Sequence, residues 1–263
     1  MSIFNRQSNL FKKLFFILLI FSNPVLAEPV EVITGFDDVL RQAENTSLLR
    51  ASLKIFEPDK TFAGMPVLYQ SLVNDNGRPR KIFLVSAISN MFQTRIDGFL
   101  RDSKYPAADF YLRSWLTEWS IENFKNEKIE QILKSKPQSK FIVIFDNSEP
   151  SLVLAKEISK KYADRVTKIY LRKTVEKEMP AEAVSFVTAF DIAWSEFNEK
   201  HLDILGLQQV ALMISLEDDA ELIIPSYAYC PKDYSLPCPA TNPDSKWCSL
   251  VVEKVRKICA DRK

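Results

Sequence analysis

One histidine, His201, is all that the 263 residues contain, and no cysteine precedes Cys230. Glycine is scarce, at 5 residues, and low-complexity stretches are few. Each shortage excludes something. A lone histidine supports no catalytic claim, and His201 is expected on the surface of a helix. With one histidine and no C-x-x-C pair, a zinc site is disfavoured. A glycine-poor composition with 46% hydrophobic and 11% aromatic residues excludes a disordered chain and is ample for a core. An excess of one charge is missing too: 35 Lys and Arg face 34 Asp and Glu. That balance lacks the basic stripe and high pI of a nucleic-acid binder, so no nucleic-acid partner is expected.

The first 27 residues have three parts. Arg6, Lys12 and Lys13 form a positive region without acids, Leu14 to Phe21 is an unbroken apolar run, and Val25-Leu26-Ala27 resembles a small-x-small cleavage site. This predicts a cleavable signal peptide over 1–27, and hence an exported protein, periplasmic or secreted. The apolar run is too short for a membrane-spanning helix, which needs about 20 residues. No cysteine follows the cleavage site, so a lipoprotein anchor is not expected. Cleavage would remove three basic residues and leave 32 against 34 acids, a net charge of −2.

Beyond residue 28, buried-strand and helix patterns alternate. Apolar, β-branched runs predict strands at 30–34, 81–86, 110–112, 141–145, 165–172 and 183–188. Helical spacing predicts helices at 66–74, 93–101, 126–135 and 152–162. The combination predicts a three-layer, doubly wound, mostly parallel α/β sheet with helices on both faces. Ligands of such sheets bind at the carboxyl ends of the strands. Asp37, Asp38, Ser86 and Asp146 all fall just past strand ends. The segment at 111–124 carries Trp115, Leu116, Trp119 and Ile121. It suits a cap over the domain's own core, with membrane-surface contact as the second reading.

All four cysteines, Cys230, Cys238, Cys248 and Cys259, lie near the C-terminus, as disulfides of an exported chain would. Residues 247–260 have helical spacing. Eleven residues at about 1.5 Å each put Cys248 and Cys259 roughly 16 Å apart, beyond the ~7 Å a disulfide spans. Cys230 and Cys238 are therefore each expected to bond to that helix, in either of two pairings.

Several segments occur in an order that resembles the haloacid dehalogenase-like phosphatases. They are ITGFDDV at 33–39, FAGMPVLY at 62–69, FLVSAIS at 83–89, YLRSW at 111–115, the lysine-rich stretch from Lys125, IVIFDNSEPS at 142–151 and RVTKIYLR at 165–172. More closely, the chain resembles the catalytic domain of the actin-patch-type phosphatidate phosphatases. The resemblance implies a haloacid dehalogenase-like phosphatase domain over 28–200, followed by a helical, disulfide-stapled extension over 201–263. It implies a phosphorylated small molecule or lipid as ligand.

Such enzymes attack phosphorus with a carboxylate, protonate the leaving group with a second carboxylate two residues on, and hold Mg²⁺ with further acids. The resemblance places Asp37 at the general acid/base, Ser86 and Lys125 at the phosphate (Lys128 as the fallback), and Asp146 with the Asp37 main-chain carbonyl at Mg²⁺. Two positions depart from the pattern: Gly35 stands where the nucleophile belongs, and Ser151 replaces a metal-shell acid. The expectation is a phosphate-ester-binding pseudo-enzyme that holds Mg²⁺ weakly or not at all. An active Mg²⁺-dependent phosphatase is the alternative.

Overall fold

A computed structural model describes residues 30–44, 60–74, 80–114, 116, 121–238 and 245–262. The expected signal peptide lies outside these residues, as do Trp115 and Trp119; Leu116 is described and exposed.

Six strands form one sheet in the order β3-β2-β1-β4-β5-β6, every pair parallel. They are β1 (Val30–Thr34), β2 (Ile82–Ser89), β3 (Asp109–Arg113), β4 (Lys140–Asp146), β5 (Val166–Arg172) and β6 (Val184–Phe186). The helices are α1 (Met65–Val73), α2 (Gln93–Asp102), α3 (Ile121–Ser135), α4 (Glu149–Lys161), α5 (Ala189–Asn198), α6 (Ile204–Leu216), the single turn α7 (Ala220–Ile223) and α8 (Ser245–Asp261). The α/β fold with a parallel, doubly wound sheet is the one expected from the alternating pattern.

The central strands are mainly apolar because both faces of the sheet are covered. Val32, Leu84, Ile142, Ile144 and Tyr170 pack into one layer, against α1, α2, α5, α6 and α8. Ile33, Phe83, Val143, Phe145 and Leu171 pack into the other, against α3 and α4. Strand order reverses about β1, which lies between β2 and β4. The crevice of such sheets opens at that switch point, beyond the carboxyl ends of β1 and β4.

Local chemistry sets several ends. Gly64 precedes α1 at φ 79° and lies against Ile214 and Ala189, so a side chain there would be both strained and crowded. Thr188 and Asp191 form a capping box at the start of α5, and Asp203 caps α6 by accepting from Gly206 N at 2.7 Å.

The cysteine pairs are Cys230–Cys259 and Cys238–Cys248, so both loop cysteines bond to α8 and no bridge joins its two ends. Three local expectations need correction. β2 runs on to Ser89, past an irregularity between Ser86 and Ser89 in its pairing with β3. α5 was not foreseen from sequence, and α6 and α7 were expected only as parts of a helical extension over 201–263 without bounds of their own. His201 is not on a helix surface: it sits in the connection after α5, half-buried against Glu196.

Candidate active site at the carboxyl edge of the sheet

Beyond Thr34, the Gly35 N–H donates to Ile144 O at 2.9 Å, which prolongs the β1–β4 pairing. Gly35 therefore faces β4 directly. A Cβ on Gly35 would stand 2.9 Å from Phe145 Cδ1 and 3.4 Å from Val39 Cγ2. The Phe145 ring thus fills the space that a side chain at position 35 would need. Thr34, fully buried, donates from Oγ1 to Gly35 O at 2.9 Å, so the 2.6 Å contact with Tyr69 has the Tyr69 hydroxyl as donor.

After Gly35 the chain folds into a tight loop. Asp37 Oδ1 accepts from Arg41 Nε at 2.9 Å and also from Arg41 Nη2. Burial pushes the Asp37 carboxyl up from its ordinary value, and the Arg41 guanidinium offsets this only in part. The charges of Asp38 and, more weakly, Asp146 also push the Asp37 carboxyl up. Asp38 is buried with φ 55°, a left-handed conformation that aspartate tolerates better than most residues. Its Oδ1 accepts from Ala43 N, Glu44 N and the Tyr227 hydroxyl at 2.9, 3.0 and 2.7 Å.

At the end of β4, Asp146 is 6% exposed, and its Oδ1 accepts from Ser148 Oγ at 3.0 Å and Ser151 Oγ at 2.8 Å. Lys125 Nζ reaches Ser151 Oγ at 3.4 Å and lies 5.3 Å from the Phe145 ring centroid. Lys128, one turn on, lies over Phe124 instead. Ser86 ends the buried part of β2, and its Oγ accepts from Ile88 N at 3.3 Å. The edge thus joins Asp146, Ser151 and Lys125 in one hydrogen-bonded chain and sets Asp37 within electrostatic reach. Ser86 stands at the end of the neighbouring strand, engaged with its own backbone.

Sequence reasoning missed several participants. Phe145 read only as a strand residue. Asn147 is fully buried: its Oδ1 accepts from Thr174 N, Thr174 Oγ1 and Val175 N, and its Nδ2 donates to Val175 O. It ties the end of β4 to the turn after β5. Arg172, the last residue of β5, is 2% exposed and lies over the Phe62 and Phe186 rings. An arginine closing the apolar run Ile169-Tyr170-Leu171 was the one available signal for it.

The sequence pattern of "Phosphatidate phosphatase APP1, catalytic domain" matches residues 30–173, more than half of the chain. The chain belongs to that family. No curated protein and no solved structure matches it. The matched span runs from the first residue of β1 to just past Arg172, so it takes in the whole carboxyl edge described above.

Phosphatidate phosphatase-like chemistry implies a metal, and the donors at this edge suit Mg²⁺ poorly. Mg²⁺ is bound through one or two carboxylates completed by substrate phosphate and water in octahedral geometry. Asp146 is the carboxylate that ends β4, and its Oδ1 already accepts two hydroxyl donors. Gly35 offers no side-chain donor and Ser151 a neutral one. A separate acidic cluster, Glu196, Glu199 and His201, brings its ligand atoms within 4.8 Å of one another. It lies toward the amino ends of the strands, where Tyr170, Lys168 and Arg80 already contact it. A cleft of about 250 Å³ beside it, lined by Ser71, Asn74, His201 and Gln209, is at that same end.

Proposed function

We propose that this phosphatidate phosphatase-like domain binds a phosphate ester, a lipid phosphate being the class its family indicates, without forming a phosphoryl-enzyme. One observation carries the reading: position 35 has no carboxylate, and Phe145 stands 2.9 Å from where its Cβ would be. A covalent phosphoryl transfer needs an attacking side chain there, and the ring leaves no room for one. Ser86 and Lys125 are the phosphate-holding residues, and Asp37 keeps the general acid/base position. Asp146 is the residual metal ligand, with the Asp37 main-chain carbonyl beside it. Mg²⁺ is held weakly at best by this set, so no step is assigned to it.

We further propose that the protein is exported, after loss of residues 1–27, to the periplasm or beyond. Two disulfides support this. Among the described residues, no helix is long and apolar enough to cross a membrane.

The test is phosphate release from an aryl phosphate and from phosphatidate vesicles, with and without Mg²⁺, beside direct binding to both. The expected result is binding that Ser86→Ala and Lys125→Ala weaken, with no turnover above background. Mg²⁺-dependent turnover abolished by Asp37→Asn would overturn the pseudo-enzyme reading and make the chain an active phosphatase.

A further inference from the structure

Arg172 is among the largest fully buried side chains of the protein and is incompletely partnered. Its Nη1 donates to Val187 O at 2.8 Å, whereas Nε and Nη2 have no hydrogen-bond partner. Those two nitrogens lie on the same edge of the guanidinium. Their N–H bonds run parallel and form the two-pronged donor that matches two oxygens of a phosphate or carboxylate. The Arg172 Cζ lies over two aromatic rings, 3.8 Å from the Phe62 centroid and 4.7 Å from that of Phe186, so packing restrains the group.

A cation kept dry with two of its three nitrogens idle is expensive, because buried polar groups are normally paired. Asp38 is the acid whose charge acts on Arg172, together with the hydroxyls of Tyr227, Tyr105 and Tyr69. None of them takes the fork. Asp38 Oδ1 receives Ala43 N, Glu44 N and the Tyr227 hydroxyl, Tyr69 donates to Thr34, and Tyr105 donates to Leu40 O. Burial holds the guanidinium down, at about 10, and it is still a cation at neutral pH.

We propose that the Nε–Nη2 edge of Arg172 is an oxyanion-binding site, which takes a phosphate or carboxylate group of a ligand in a two-oxygen grip. The placement supports it. Arg172 pairs in register with Asp146 at the carboxyl end of the sheet, yet its side chain lies in the layer of Phe62 and Phe186. Lys125 lies over Phe145, in the opposite layer. The switch-point crevice is thus flanked by one cation on each side of the sheet. The assignment does not rest on the roles given to Ser86 and Lys125.

The experiment measures binding of inorganic phosphate, of a soluble phosphate monoester and of acetate to the full mature chain by calorimetry. Arg172→Lys keeps the charge and removes the fork, and is expected to weaken binding of the preferred anion roughly tenfold or more. The anion most affected identifies the ligand class. A folded Arg172→Lys protein that binds all three as wild type does would overturn the proposal. Should that variant not fold, the wild type supplies the second readout. The Nε–H resonance of Arg172, assigned through its contacts to the Phe62 and Phe186 rings, is expected to move downfield and saturate as anion is added. A resonance that none of the three anions moves would mean that the fork is satisfied by water, and the proposal falls. Loss of binding in Ser86→Ala or Lys125→Ala, with the Arg172 resonance unresponsive, sinks this inference and leaves the phosphate-ester reading standing. The reverse pattern sinks only the latter.

Discussion

Overlap between a Cβ at position 35 and the Phe145 ring makes these two residues one steric unit. Gly35 is not among the residues with positive φ, so backbone strain adds nothing to the conflict. Gly35→Ala is expected to cost about 1–3 kcal/mol, the range for overpacking a well-filled site. In a Phe145→Ala background the same change is expected to cost little, since the cavity left by the ring receives the methyl group. A double-mutant cycle in urea measures the coupling, and simple additivity of the two changes would contradict the contact. The same ring bears on metal binding. Gly35→Asp alone is expected to gain no Mg²⁺ affinity, because the new carboxylate meets Phe145 before it can face Asp146. The triple change Gly35→Asp, Phe145→Ala, Ser151→Asp supplies both missing acids and the space for one of them. It is expected to bind Mg²⁺ measurably by calorimetry, and a folded triple variant without affinity would show that the two carboxylates do not face one ion.

The six strands were legible because each is short, apolar and bounded by turn residues, so length and composition locate a strand buried on both faces. The helix α5 was not, and α6 was legible only as part of a helical extension without bounds. Residues 204–216 carry no charge, and the stretch has buried Val210, Ala211 and Ile214 alongside exposed Leu205, Leu212 and Leu216, so no polar face marks it as a helix. At the candidate site, Asp37, Ser86, Lys125, Asp146 and Ser151 were proposed through motif order, because catalytic motifs sit at fixed offsets from strand ends, and the structure joins Asp146, Ser151 and Lys125. Phe145 and Arg172 escaped, since their importance lies in what they touch across the sheet. The bridges to α8 were legible to the extent that helix rise forbids one pairing, and the choice between the other two required three dimensions. Val251 and Val255 of α8 are fully buried in the same layer as Val32 and Leu84, so this helix belongs to the core that supports the sheet. Each disulfide is expected to contribute about 3 kcal/mol, and Cys230–Cys259 more than Cys238–Cys248 because it closes 29 residues rather than 10. Urea midpoints of the two paired Cys→Ala variants check the order. A larger loss from the shorter loop would show that packing of the sulfurs outweighs chain entropy.

At the scale of the whole molecule, stability should respond to pH through the end opposite the candidate site. Glu196 is fully buried, accepting from Tyr170 and facing His201 Nδ1 at 3.1 Å. The hydrogen bond to Glu196 raises the His201 pKa above 6.5, and burial and Arg80 pull it partly back. A histidine with a raised folded-state pKa contributes stability that is complete below pH 6.5 and is lost as pH climbs through the raised value. Wild-type protein is therefore expected to lose stability on going from slightly acid to slightly alkaline solution, and His201→Gln to lose less over the same window. Because His201 is part-exposed, the effect is small and salt-sensitive. Equal slopes for both proteins, followed by urea unfolding, would remove His201 as the cause. The strand order carries a different kind of consequence. β1 is made first, yet it pairs with β4, whose residues come more than a hundred positions later, and its following loop is tied to Tyr227. Contacts so distant in sequence must wait for the intervening chain, which makes closure of such a sheet slow. A growing polypeptide of this design can pair its first strand with β2 early, but the other edge of that strand stays open until β4 has been made. Nascent chains that end before residue 140 are expected to be digested readily by protease, and resistance should arise only once α8 has emerged. Such late closure leaves a long interval in which the chain can be threaded, extended, through a translocation pore.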